Sequence, residues 1–280
     1  MKLDEFKAEF WERTDYDRAF RGSFGRYMTE IERAALERVM GDLRAPVLLD
    51  LGCGHGRFLR WLAPRAGRLV GLDRSGRLLG VASESLARQP LGIPAALLRA
   101  SATAIPLADA SIDAVTCVRV IQHIPQQDLV LHEIRRVLRP GGTLVLVQYN
   151  WASPHGLVRA VKLPVKAALR SLLRRLGRQP RFDERTRWTC WPLLKRQLHR
   201  AGFGIDAATG AWIFPLQYFR RRRSNDAFRP FLRLALAAEK LADRTPFRFA
   251  GGYLVVRCRA RGAPAARLGR KPRGGSALSR

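Results

Sequence analysis

The stretch VLLDLGCGHGRF, residues 47–58, restricts the possible folds more than any other part of the chain. An apolar run ends on the acid Asp50 and passes into Gly52, Gly54 and Gly56 before an apolar segment that reads as the start of a helix. Glycine at such a turn supplies left-handed backbone angles and lets a ligand lie against bare main chain. A strand, a glycine turn and a helix open the doubly wound α/β sheets, whose ligands sit beyond the carboxyl ends of the strands where the winding reverses.

The downstream pattern agrees. Short apolar runs at 47–51, 68–72, 95–99, 112–118 and 143–149 alternate with amphipathic segments from about 57, from about 76 and over 126–138. Continuous rather than alternating apolar strands imply a parallel sheet covered by helices on both faces. Residues 1–45 read as a helical cap and 46–150 as the sheet core. Residues 151–187 form a basic amphipathic insertion, and 188–260 the end of the sheet, with a helical insertion at 216–248. In that last part a helix is expected near 190–201, a strand-like segment at 212–215 and a final strand at 251–260. Residues 261–280, rich in Arg, Gly, Pro and Ala, read as a disordered basic tail.

Three ligand classes use a glycine turn of this kind. A mononucleotide phosphate loop requires Lys and a hydroxyl after its last glycine, and Arg57 and Phe58 stand there instead. A dinucleotide turn requires a third glycine at the position of Arg57. A cationic nucleoside carries no pyrophosphate, and the carboxylate of Asp50 repels phosphate and attracts an ammonium. Asp73 ends the second apolar run about twenty residues past the turn, where an acid accepts both ribose hydroxyls.

LLDLGCGHGRF, LVGLDRS, ASATAIPLADASIDAV, VIQHIPQ and EIRRVLRPGGTLVLV together resemble, in order and spacing, the class I S-adenosylmethionine-dependent methyltransferases. The resemblance points to the subgroup that includes quinone-biosynthesis and other small-molecule enzymes, and it is strong from Val47 to Val147. It implies a Rossmann-like, mostly parallel seven-stranded sheet with an antiparallel last strand, GYLVVRCRA. It also implies S-adenosylmethionine as cofactor. Asp50, Gly52, Cys53 and Gly54 would flank its methionine part, Asp73 and the adjoining Arg74 its ribose. Ser101, Ala102 and Ile105 would surround the adenine, and the chain at Cys117 and Val118 would line the amino-acid end. Where relatives often carry an Asp that reads the adenine amino group, this chain has Ser101, a weaker acceptor.

Methyl transfer is an in-line displacement that needs alignment and dryness more than covalent machinery. A base helps if the acceptor is a hydroxyl or an activated carbon, and His123, after the fourth strand, is the candidate; its alternative is a helix cap or a packing position. Cys53 reads as packing, Arg119 as a surface ion pair or a holder of an anionic substrate, and His55 as a tolerated loop residue or one that approaches the cofactor. His132 and His199 read as solvated helix positions, and His155 carries no reading. Tyr16, Phe24 and Tyr27 are candidates to close over the cofactor.

The formal charge of +28, from 51 Lys and Arg against 23 Asp and Glu, calls for anionic partners or reflects composition alone. The insertion alternates an apolar face with Lys162, Lys166, Arg170 and Arg174, suited to covering the substrate pocket or lying on an anionic bilayer. RNA is the rival partner, but neither a recognisable RNA-binding module nor a base-amine signature is present. A methyltransferase-like binding protein without turnover is the other alternative. Scattered Cys53, Cys117, Cys190 and Cys258 provide no metal-ligand spacing, and the expected setting is a reduced cytoplasm, with peripheral contact at the inner membrane face. The expected acceptor is small and apolar or lipid-like.

Overall fold

The computed structural model describes residues 23–161, 186–212 and 246–262, with isolated helical positions at 171, 175, 237 and 239. The run Arg220–Arg223, the tail beyond 262, residues 1–22 and most of both insertions lie outside the described residues.

Helix α1 (Ser23–Met40) precedes strand β1 (Ala45–Leu51), the single-turn α2 (Leu59–Leu62), β2 (Ala66–Asp73), α3 (Gly76–Arg88) and β3 (Ala95–Arg99). There follow β4 (Ile112–Val118), α4 (Gln127–Val137), β5 (Leu138–Tyr149), α5 (Trp191–Arg200), β6 (Phe203–Ala211) and β7 (Tyr253–Ala260). The seven strands form one sheet in the order β3-β2-β1-β4-β5-β7-β6. β1 to β5 are mutually parallel, while β7 runs antiparallel to both β5 and β6. The winding therefore reverses between β1 and β4, which places the ligand crevice beyond their carboxyl ends.

Strand pleating sends neighbouring side chains to opposite faces, and the core divides accordingly. Leu48, Ala114, Val145, Val147 and Val255 face α1 and α2, joined by Ile31, Leu36 and Met40 of α1. Leu49, Val115, Leu144, Leu146 and Val256 face the other way, under Val130 and Ile134 of α4 and Leu194 and Leu198 of α5. Residues 23–40 thus pack as a helix against the β5–β7–β6 half of the sheet.

Two elements depart from the sequence expectation. β5 begins at Leu138, so the turn expected at RPGG is absorbed into the strand with a register shift between Ile112 and Ala114 on its partner. The sixth strand is Phe203–Ala211, ending where Trp212 enters the left-handed region at φ 62°; residues 213–215 of the expected strand-like segment lie outside the described residues. Its sequence FGIDAATGA has weak strand preference and is held extended by pairing along β7. Gly210 is required there because a Cβ would overlap the carbonyl of Arg248.

Candidate functional site

Asp50 lies in β1 directly opposite Thr116 of β4, at the switch point. The Thr116 hydroxyl donates 2.8 Å to Asp50 Oδ1. Asp50 is buried, and burial pushes its pKa up to about 6; the Thr116 bond and the Arg57 charge pull it down, while the Asp73 charge adds to the rise. A buried carboxylate so poised gains most from a cationic partner.

The glycine turn is fastened to β2. The amides of Gly52 and Cys53 both donate to the Leu72 carbonyl, at 2.6 and 3.1 Å. Asp73 Oδ2 accepts from the Gly54 amide at 2.8 Å, and Asp73 Oδ1 from the Ser75 amide at 2.9 Å. Ser75 in turn caps α3 through Leu78 N. Both carboxylate oxygens of Asp73 are thus oriented by backbone amides. Gly52 has φ 77°, and a Cβ on it would overlap the side chain of Val120, so the turn admits no larger residue there.

Cys53 is buried, and burial first, then the Asp50 and Asp73 charges, raise its thiol pKa far above the ordinary range. It is an inert packing group against Gly71. Arg74 is exposed, and its carbonyl accepts from Arg99 Nε at 3.3 Å. Cys117 belongs to the core under α4, with its thiol pushed up to about 12 mainly by burial; Val118 is half-buried on the opposite face.

The 101–111 segment is held by residues to which the sequence reading assigned no role. The Ser101 and Thr103 hydroxyls are 2.8 Å apart, and Ser101 Oγ also accepts from Thr103 N, so the hydroxyl expected to face adenine is already engaged locally. Ala102 and Ile105 are buried. Glu133 of α4 accepts from the Ile105 amide at 2.8 Å. Arg136, one turn on, donates to the carbonyls of Ile105 (2.8 Å) and Leu107 (2.9 Å), to Asp109 (2.6 Å) and to Glu133. The Asp109 and Glu133 pairings keep the Arg136 guanidinium firmly charged despite its burial.

After β4 the chain forms a short 3-10 turn, Ile121–His123. His123 is half-buried, whereas the neighbouring Gln122 is buried and its carboxamide has no hydrogen-bond partner among the described residues.

Arg119, read from the sequence as a surface ion pair, does form an ion pair, but one largely enclosed by the protein rather than at the surface. Its Nε lies 2.9 Å from Glu32 of α1, its Nη1 donates to the Tyr253 hydroxyl at 3.2 Å, and its backbone takes φ 58°. The other Glu32 oxygen pairs with Arg57, which follows the glycine turn and also donates to Thr29 Oγ1 at 3.2 Å. Two guanidiniums around one carboxylate leave net positive charge beside the negative Asp50.

Beyond β5 lies an aromatic layer. Tyr149 stacks on Trp188 at 4.9 Å and leans on Tyr253 at 5.2 Å; Trp212 stacks between Tyr253 at 5.0 Å and His155 at 4.3 Å. His155 is fully buried, 2.9 Å from the Trp212 carbonyl, and burial lowers its pKa to about 4. Among the described residues, no cluster of His, Cys, Asp or Glu is suited to a metal, and no helix is long and apolar enough to cross a membrane.

Residues 49–146 match the model of a methyltransferase domain family. The chain is 37% identical over 100 residues to the methyltransferase GfsG of Streptomyces halstedii, covering 35% of this chain and 36% of that protein. It is 32% identical over 123 residues to a ubiquinone biosynthesis O-methyltransferase of Azoarcus sp., covering 43% and 52%. It therefore spans between a third and about half of the length of these curated relatives. Among solved structures, the N-methyltransferase NodS of Bradyrhizobium japonicum in complex with S-adenosylhomocysteine superposes with a TM-score of 0.54 at 15% identity, over 92% of this chain and 99% of that one. The strand order, the glycine turn between Asp50 and Asp73, and the matched family model together identify residues 49–146 as a methyltransferase domain.

Proposed function

We propose that the protein transfers a methyl group from S-adenosylmethionine to a small, apolar, quinone-like or lipid-like acceptor, at oxygen or carbon. The observation that carries the reading is the buried Asp50, poised beside the glycine turn and opposed by Arg57 and Arg119. In this reading Asp50 takes the cofactor ammonium, Asp73 the ribose hydroxyls, and the Ala102–Ile105 segment the adenine. The cofactor supplies a sulfonium-activated methyl group. The protein's own contribution is to orient both partners and keep water from them.

The acceptor class rests on the half-buried stacked pair Tyr149 and Trp188 past the end of β5, backed by the buried Trp212 and Tyr253, as a flat aromatic wall for an apolar acceptor. The named O-methyltransferase of Azoarcus supports the same class by likeness. His123 takes a proton from the acceptor. His123→Ala is expected to lower turnover on a hydroxyl acceptor with cofactor affinity unchanged; unchanged turnover removes it from the reaction.

The test of the whole reading is thermal stabilisation by S-adenosylmethionine but not by NAD, followed by a search of cell extract for products one methyl heavier. Stabilisation without any methylated product favours a silent binding protein, and products in the RNA fraction favour the nucleic-acid alternative.

A further inference from the structure

We propose that the edge of the molecule formed by residues 151–161 and 187–196 docks on an anionic lipid bilayer. Trp151, Leu157, Val161 and Leu193 are 54%, 68%, 67% and 57% exposed, in a protein whose other large apolar side chains are mostly buried. Leu157 and Val161 are four residues apart on the helix over 154–161 and so share one stripe. The Trp151 amide donates 2.7 Å to the Thr189 carbonyl, and Asn150 bridges Thr189 in parallel. This pairing brings the first turn of α5, with Leu193, to the same edge as Trp151.

Within these two segments the charged side chains are all basic, while the exposed Asp128 of α4 meets α5 at Gln197, 2.9 Å away. Arg187, Lys195 and Arg196 are exposed, Arg159 lies 5.2 Å over the Trp188 ring, and neither 151–161 nor 186–200 contains an acidic residue. Exposed aliphatic and indole side chains ringed by cations are the chemistry of an interfacial bilayer contact. RNA would engage the cations but would leave Leu157, Val161 and Leu193 in water, since it binds proteins through phosphate charge and aromatic stacking. Both segments flank the carboxyl end of β5, so docking would turn the crevice toward the lipid. The inference goes beyond the methyl-transfer reading, and cofactor binding reports on that reading separately.

The test is flotation of the full-length protein with phosphatidylcholine vesicles, with and without phosphatidylglycerol. Binding is expected only to the anionic vesicles and is expected to weaken with salt. Leu157→Asp and Val161→Asp should each weaken it about tenfold, because burying one aliphatic side chain is worth about that factor. Both variants should keep their thermal stabilisation by S-adenosylmethionine, which shows that they are folded. Brominated lipid should quench tryptophan emission in the parent protein and less in Trp151→Phe. Failure to float with anionic vesicles, undiminished flotation of the two Asp variants, or binding to single-stranded RNA that displaces the vesicles would overturn the proposal.

Discussion

Glu32, midway along α1, and Arg57, just past the glycine turn, form a buried ion pair whose carboxylate is shared with Arg119 at the end of β4. A helix outside the doubly wound core thereby sets the charge beside the cofactor turn. Removing the carboxylate would strand two guanidiniums in a poorly hydrated site. Glu32→Ala is expected to destabilise the protein by about 3–5 kcal/mol in urea denaturation, and Glu32→Gln by less. A loss below about 1 kcal/mol would mean that water reaches the cluster and screens it.

Asp50 should cost stability in the ligand-free protein. Its folded pKa of about 6 exceeds the ordinary value of 3.8, so the native state binds more protons than the unfolded chain between those values, and stability falls as pH rises through that window. Above pH 6 the penalty is complete, about 3 kcal/mol. Asp50→Asn should therefore be more stable than the parent at pH 7, with the difference vanishing toward pH 4, while binding of S-adenosylmethionine weakens sharply. Denaturation midpoints across pH 4–8, with and without cofactor, test both halves.

His155 acts in the opposite direction. Its folded pKa of about 4 lies below the ordinary value of 6.5, so the unfolded chain binds more protons between the two. The contribution is fully present above pH 6.5 and is lost as pH falls through 4. In the parent this opposes the Asp50 effect over an overlapping window. Asp50→Asn should consequently show steeper acid destabilisation than the parent, and the double variant with His155→Phe a flatter profile than Asp50→Asn.

The Glu133–Arg136 pair should govern the cofactor's adenine side without touching the reacting atoms. Arg136→Met frees the carbonyls of Ile105 and Leu107, and Glu133→Gln weakens the bond from the Ile105 amide. Both are expected to raise the KM for S-adenosylmethionine several-fold with kcat little changed, and to speed hydrogen exchange at Ile105. A loss of kcat at constant KM would place the pair elsewhere in the reaction.

The elements around the switch point were legible because each is written in contiguous residues. Val47–Phe58 contains its strand, its acid and its glycines in twelve positions, and Asp73 ends the next apolar run. β6 was not legible, since FGIDAATGA has little strand preference and is extended by its ladder with β7. The engagement of Ser101 with Thr103 likewise depends on how the 101–104 turn closes, which residue types do not disclose.

Chain order therefore established the α/β class, the parallel run from β1 to β5, and Asp50 and Asp73 as acids flanking a glycine turn, whereas the antiparallel last strand was implied by the family resemblance alone. The properties read from chain order follow from local spacing and hydrophobic pattern, which short-range sterics and burial translate directly into strands and turns. Folding in three dimensions established that Thr116 bonds Asp50, that Arg119 is largely enclosed rather than at the surface, and that Glu32 joins it to Arg57. Those partners lie 25 to 87 positions apart in sequence, and hydrogen bonds and ion pairs act over a few ångströms of space, so the sheet order had to bring them together before any of them could acquire its role.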